Sequence, residues 1–313
     1  MISKHFESLA PHGVSASLDD LLTLRFAAHT LNLKPHAHKL QQGAGTHLSR
    51  QRGRGLEFEE VRAYQPGDDV RSIDWRVTAR SGRTYTRLFR EEQERPLLLA
   101  IDQRPPMGFG SRHCFKSVMA SYLAALLGWA GLQGGDRVGG MIFSADEQCD
   151  RKPLRQRSSV LFLLQELCRF NQQLLNANTT SKKYPSLAEQ ILSLRRLAHS
   201  GSGVFLISDF HDWNSEARDQ LFLLARQCDL TLLKIYDPLE MALPDSGIYT
   251  VTNGEQRLSL DTGELRLRNQ YQQRFNNTLA DIEQTALRLR LPLLHISTAD
   301  NPLAILQQQF GAR

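Results

Sequence analysis

From Leu97 to Ser297 the chain repeats one pattern, a short apolar run followed by a longer segment with helical spacing. The runs are LLLAID (97–102), RVGGMIFS (137–144), GVFLISDF (203–210), LTLLKIYD (230–237) and LPLLHIS (291–297). Each reads as a strand buried on both faces, which needs no polar alternation. Parallel neighbours need long crossover connections, and the helical segments between the runs supply them. Those segments are FKSVMASYLAALLGWAGL (115–132), closed by Gly134-Gly135; SSVLFLLQELCRF (158–170), with Ser158 or Ser159 as cap; SLAEQILSLRRLAHS (186–200); SEARDQLFLLARQC (215–228); and about 268–290. Ser186 and Glu189 have the spacing of a capping box. A short helix follows Pro302, and GIYTVTNGEQRLSLD (247–261) reads as a hairpin turning at Asn253-Gly254. The expected fold class is α/β, a doubly wound and mostly parallel sheet of Rossmann-like type.

The first third has a different texture. SLDDLLTLRFAAHTL (17–31) predicts an N-terminal helix capped by Ser17, with Asp19 and Asp20 in its first turn. HAHKLQQGAGTHLSRQRGRG (36–55) is polar and glycine-rich and reads as an exposed loop. His36 and His38 have no third ligand nearby and read as solvated. LEFEEVRAY (56–64) and TYTRLFREEQE (84–94) alternate as strands around a turn at QPGDD (65–69), which predicts a small β insert. The expected division is 1–50 for the helix and loop, 51–95 for the β subdomain and 96–313 for the α/β domain.

Several function classes lose support. The formal charge is +5, and the arginines from Arg50 to Arg95 are interleaved with Glu57, Glu59, Glu60, Asp68, Asp69, Asp74, Glu91, Glu92 and Glu94. Mixed signs point to ion pairs or a protein partner more than to a nucleic-acid footprint. Cys114, Cys149, Cys168 and Cys228 form no CxxC pair, which argues against zinc and a disulfide framework and leads to an expected cytoplasmic setting. No stretch approaches the roughly 20 apolar residues of a membrane span, and MISKHFESLAPHG lacks the apolar core of a secretory signal. GxSxG, GxxxxGK[ST] and HExxH are absent. Ser208, Asp209 and His211 are near neighbours in SDFHD, but a catalytic triad needs convergence in space. No catalytic residue, cofactor or membrane insertion is expected.

The chemistry concentrates on Asp102 and Asp209, which both end apolar runs. In an open α/β sheet such positions share the carboxyl-end rim, where ligands gather. Two carboxylates there repel and need a cation, a proton or strong hydrogen bonds.

GRGLEFEEVRAYQPGDDVRSIDWRVTARSGRTYTRLFREEQERP (53–96) resembles the signature of the DUF58 family, and GDRVGGMIFS and DPLEMALPDSG fit it too. The likeness runs from about Gly53 to the C-terminus. It implies a von Willebrand factor A-like domain; many members carry membrane helices, which this chain does not show. Such domains often hold a metal on Asp-x-Ser-x-Ser. Matching Asp102 to that aspartate puts Arg104 and Pro106 at the serines, while Asp209 matches a later aspartate and Ser186 loosely matches a threonine. Neither replacement offers a side-chain oxygen, and arginine stays charged. Three readings stand: the Arg104 guanidinium replaces the ion, Arg104 faces solvent, or metal binds in another arrangement. In the signature, Asp68, Asp69, Arg71, Asp74, Trp75 and Arg80 read either as a docking surface or as an ion-pair and turn network, with Trp75 anchoring the insert.

The resemblance implies a non-enzymatic protein-binding scaffold, partner of a MoxR-type AAA+ ATPase in chaperone-like assembly. A partner carboxylate would then be received by Arg104. The alternatives are a metal-dependent hydrolase or nuclease using Asp102 and Asp209, and a nucleic-acid binder using the arginines from Arg50 to Arg95.

Overall fold

The computed structural model describes residues 10–33, 56–65, 68–91, 95–176, 184–244, 247–252 and 257–311. The loop expected over 36–55 with His36 and His38, Pro66-Gly67 of the first turn, and Asn253-Gly254 of the hairpin lie outside them. The chain forms two compact units, Pro35–Glu94 and the remainder, Met1–Lys34 with Arg95–Arg313. The N-terminal segment thus belongs to the α/β unit.

That unit opens with α1 (Leu18–Thr23) and α2 (Arg25–Ala28). The single helix expected over 17–31 is divided at Leu24. The Thr23 hydroxyl donates to the Asp20 carbonyl, the acceptor that the Leu24 N–H also needs, and that bond is stretched to 3.3 Å. Such back-bonding competes with the helical ladder. The Ser17 hydroxyl caps α1 by accepting from Asp20 N–H.

In the Pro35–Glu94 unit, β1 (Leu56–Ala63) pairs antiparallel with β2 (Tyr85–Glu91), with a bulge between Phe58 and Glu60. The chain between them holds a 3-10 turn (Val70–Ser72) and α3 (Trp75–Ser81), a helix that the sequence pattern does not announce. Asp74 caps α3 by accepting from Arg76 and Val77 N–H, and Gly82 closes it in the left-handed region at φ 68°.

The α/β unit then runs β3 (Pro96–Asp102), α4 (Lys116–Gln133), β4 (Arg137–Phe143), β5 (Gln148–Leu154), α5 (Arg157–Asn176), α6 (Leu187–Leu197), β6 (Gly203–Ser208), α7 (Ser215–Gln227), β7 (Asp229–Tyr236), α8 (Pro238–Met241), the hairpin β8 (Ile248–Thr252) and β9 (Arg257–Asp261), α9 (Leu265–Leu289), β10 (Leu293–Ser297) and α10 (Pro302–Phe310). Six strands make one sheet in the order β10-β7-β6-β3-β4-β5. All neighbours are parallel except β4 and β5. This is the expected doubly wound α/β fold. The antiparallel edge strand β5 is an addition to it, since QCDRKPL has no apolar alternation to reveal a strand. Charges and Pro153 on an edge strand discourage pairing with another chain.

Alternate residues of β3 face two cores. Leu97, Leu99 and Ile101 pack with α1, α2, α4, α5 and α10. Leu98 and Ala100 pack with α6, α7 and α9. Helix α4 is buried on all sides from Lys116 to Gly131, as an all-round apolar helix must be. Ser158 and Ser159 are not caps. They lie inside the first turn of α5, and the Ser159 hydroxyl donates to the Val138 carbonyl at 2.8 Å. Ser186 and Glu189 do form a capping box at α6. Among the described residues no helix is long and apolar enough to cross a membrane.

Candidate functional site

The chain passes from β3 to β4 on one side and later places β6 on the other. The carboxyl ends of β3 and β6 therefore flank a topological switch point, where α/β sheets bind ligands. Asp102 ends β3 and Asp209 follows β6, so the two aspartates flagged in the sequence stand on adjacent strands.

Asp102 is fully buried. Its Oδ1 accepts from Arg104 N–H at 2.9 Å and from Arg104 Nε at 3.0 Å. Its Oδ2 accepts from Arg104 Nη2 at 2.8 Å and from the Ser208 hydroxyl at 2.7 Å. Arg104 is 1% exposed. Its Nη1 donates to the Pro185 carbonyl at 3.3 Å and to Asp212 Oδ2 at 3.1 Å. Asp212 Oδ2 also accepts from Leu187 N–H at 2.8 Å. Burial works to discharge the guanidinium, but the carboxylates of Asp102 and Asp212 outweigh it and hold its pKa above the ordinary value.

Asp209 has a separate counter-ion. Lys116, in the first turn of α4 and 1% exposed, donates from Nζ to Asp209 Oδ2 at 2.7 Å and to Glu240 Oε1. Asp209 Oδ1 accepts from His211 N–H at 3.0 Å. Burial pushes the Asp209 carboxyl up, while Lys116, His211 and Lys234 together bring it below its usual range. Buried Lys234 donates to the Asp209 backbone carbonyl at 2.8 Å; desolvation lowers its pKa. The carboxylates of Asp102, Asp209, Asp212 and Glu240 thus meet the cations of Arg104, Lys116 and Lys234.

Asp237 ties the surrounding loops. It accepts from the Ser111 N–H and hydroxyl at 2.8 and 2.5 Å, from the Thr298 hydroxyl at 2.6 Å and from Leu239 N–H at 2.9 Å. Between Asp209 and His211, Phe210 takes the left-handed region at φ 52° with its ring fully buried. A bulky residue is rare there, and such outliers cluster at functional sites.

The other residues singled out in the sequence land elsewhere. The Ser186 hydroxyl accepts from Glu189 N–H in the α6 cap; its neighbours Pro185 and Leu187 reach the rim through their backbone. Arg104 does not face solvent, and its donors are engaged within the chain, so it is not presented to a partner carboxylate. Ser208, Asp209 and His211 do not converge as a triad: the serine bonds Asp102, the Asp209 carboxylate bonds Lys116, and His211 is exposed. Within its own unit, Asp68 pairs with Arg62 at 2.7 Å, and Asp69 and Asp74 cap turns. Arg71 and Arg80 are exposed. Trp75 is 69% exposed and is not an apolar anchor. Lys116, Asp212 and Glu240 carry no signal that sequence reasoning picks up, save that a lysine opens the otherwise apolar α4.

The family model described as "Protein of unknown function DUF58" matches residues 60–280. The chain belongs to the DUF58 family. Relatives include the uncharacterized protein Rv1480 of Mycobacterium tuberculosis and the uncharacterized protein Mb1516 of Mycobacterium bovis. Each is 29% identical over 269 residues, covering 83% of this chain and 80% of the relative. Among solved structures, the conserved hypothetical protein BatB from Bacteroides thetaiotaomicron aligns over 69% of this DUF58 chain and 96% of its own, with 12% identity and a TM-score of 0.40.

Proposed function

We propose that the α/β unit is a von Willebrand factor A-type domain acting as a non-enzymatic protein-binding scaffold, with the strand-end rim as its docking face. One observation carries the reading. The groups that hydrolysis would need, Ser208, Asp102 and Asp209, are engaged in buried contacts, while two apolar side chains near Lys116 and Glu240 in the chain are exposed. Phe109 is 40% exposed and Met241 45%. The Phe109 carbonyl accepts the Lys116 N–H, and Met241 follows Glu240, whose carboxylate accepts from Lys116 Nζ. Exposed apolar groups close in the chain to a buried polar network suit a protein partner.

The partner class follows from the resemblance, a MoxR-type AAA+ ATPase, with the chain working in assembly of a third protein. Interferometry with a purified ATPase of this type tests it. Phe109→Ala with Met241→Ala should weaken binding at least about tenfold, some 1.4 kcal/mol. No binding by the unaltered chain, or binding indifferent to both changes, would sink the reading.

A further inference from the structure

A von Willebrand A-type rim implies a divalent cation, and the residues present do not fit one. Magnesium needs about six oxygens in near-ideal octahedral geometry. Here both Asp102 oxygens accept from Arg104, and Oδ2 also from Ser208. Both Asp209 oxygens are taken as well, by Lys116 and His211 N–H. Arg104 and Pro106 bring no side-chain oxygen. A dication would have to displace a guanidinium and an ammonium that are both 1% exposed.

We propose that Arg104 and Lys116 jointly stand in the place of the divalent cation, so that this rim is held in shape and binds its partner without metal. Their combined charge matches that of a dication, divided so that the Asp102 carboxylate bonds Arg104 and the Asp209 carboxylate bonds Lys116, while Lys234 adds a third cation that bonds the Asp209 backbone carbonyl and not its carboxylate. The division also does what an ion does mechanically. Arg104 links the end of β3 to Asp212 in the β6–α7 loop and to Pro185 before α6. Lys116 links α4 to the end of β6 and to α8. Together they join the loops at one edge of the sheet. Unlike an ion, neither can dissociate, so the rim has no unloaded state. Arg104 occupies the first serine position of the metal motif itself, and its own N–H also bonds Asp102.

The inference rests on the reading above only for expecting a metal at all, and its test does not involve the ATPase. The full chain is titrated with Mn²⁺ and Mg²⁺ by calorimetry, and its melting temperature is followed with each ion to about 10 mM, beyond the weakest ordinary protein sites. Neither saturable heat nor a melting shift is expected. Saturable binding that disappears in Asp102→Asn would overturn the inference. The converse variant is Arg104→Ser with Lys116→Ser, which leaves the carboxylates bare. Mn²⁺ should raise its melting temperature by several degrees, and if the variant fails to fold alone, Mn²⁺ should restore its folded circular-dichroism spectrum. A double variant indifferent to Mn²⁺, folded or not, would show that the two side chains do not hold a cation's place.

Discussion

The Arg104 guanidinium meets the Asp102 carboxylate edge to edge, Nη2 to Oδ2 at 2.8 Å and Nε to Oδ1 at 3.0 Å, with a single residue between them in the chain. The fork geometry of two parallel bonds is the strong form of this pairing. Because both groups are buried, its worth is conditional. Together they offset each other's desolvation; apart, each is a buried charge without a partner.

Arg104→Met is therefore expected to cost about 3–5 kcal/mol in urea unfolding, since it leaves the buried Asp102 carboxylate without its cation. Adding Asp102→Asn should recover a large part of that loss. Fluorescence of Trp129, 1% exposed in the same unit, reports the transition. A single variant as stable as the parent would mean that the pair does not form in solution.

Asp237 predicts a pH dependence. Burial alone would raise its carboxyl, but the Ser111 and Thr298 hydroxyls and the Leu239 and Ser111 N–H groups outweigh burial and lower it. A carboxylate lowered on folding adds stability that is fully present above its unfolded value of about 3.9 and is lost as pH falls through the lower folded value. Asp237→Asn should thus be less stable than the parent at neutral pH, with the gap in urea midpoints closing as pH falls below about 4. A gap constant over that range would contradict this.

Gly110 predicts a steric effect at the same rim. A Cβ there would collide with the Cys114 carbonyl oxygen and lie 2.9 Å from the Phe115 Cα. Both are backbone atoms and cannot swing aside. Gly110→Ala should cost about 1–3 kcal/mol as an overpacking change. It should also disturb the start of α4, visible as changed amide shifts around Lys116. Unchanged shifts would mean that the loop is free to move away.

The sheet is readable in the sequence for a physical reason. Strands buried on both faces are continuous apolar runs, so β3, β4, β6 and β7 declare themselves; the edge strand β10 keeps an apolar run although His295 is exposed. The edge strand β5 alternates exposed and half-buried positions, but its inward residues are Cys149, Arg151 and Pro153, which show no apolar period, so it does not declare itself. The same logic divides the site. Asp102 and Asp209 stand out because each is a charge ending an apolar strand. Lys116, Asp212 and Glu240 are ordinary in their local surroundings and gain meaning only when helix and loops converge on the rim. Helix α3 stays hidden because its residues, WRVTARS, are too few to show a period, and its capping aspartate is one of several in the signature.

That last helix gives a prediction separating two adjacent residues. Asp74 is 8% exposed and accepts from Arg76 N–H at 3.0 Å and Val77 N–H at 3.2 Å. These amides have no intrahelical acceptor, so removing the carboxylate leaves them unsatisfied. Asp74→Ala should cost about 1 kcal/mol and speed hydrogen exchange at Arg76 and Val77. Trp75, beside it in the chain and 69% exposed, has little burial to lose. Trp75→Ala should stay within about 0.5 kcal/mol, as surface changes do, and leave that exchange unaltered. A large loss from Trp75→Ala would mean that the tryptophan is covered in solution by a surface this arrangement does not place against it.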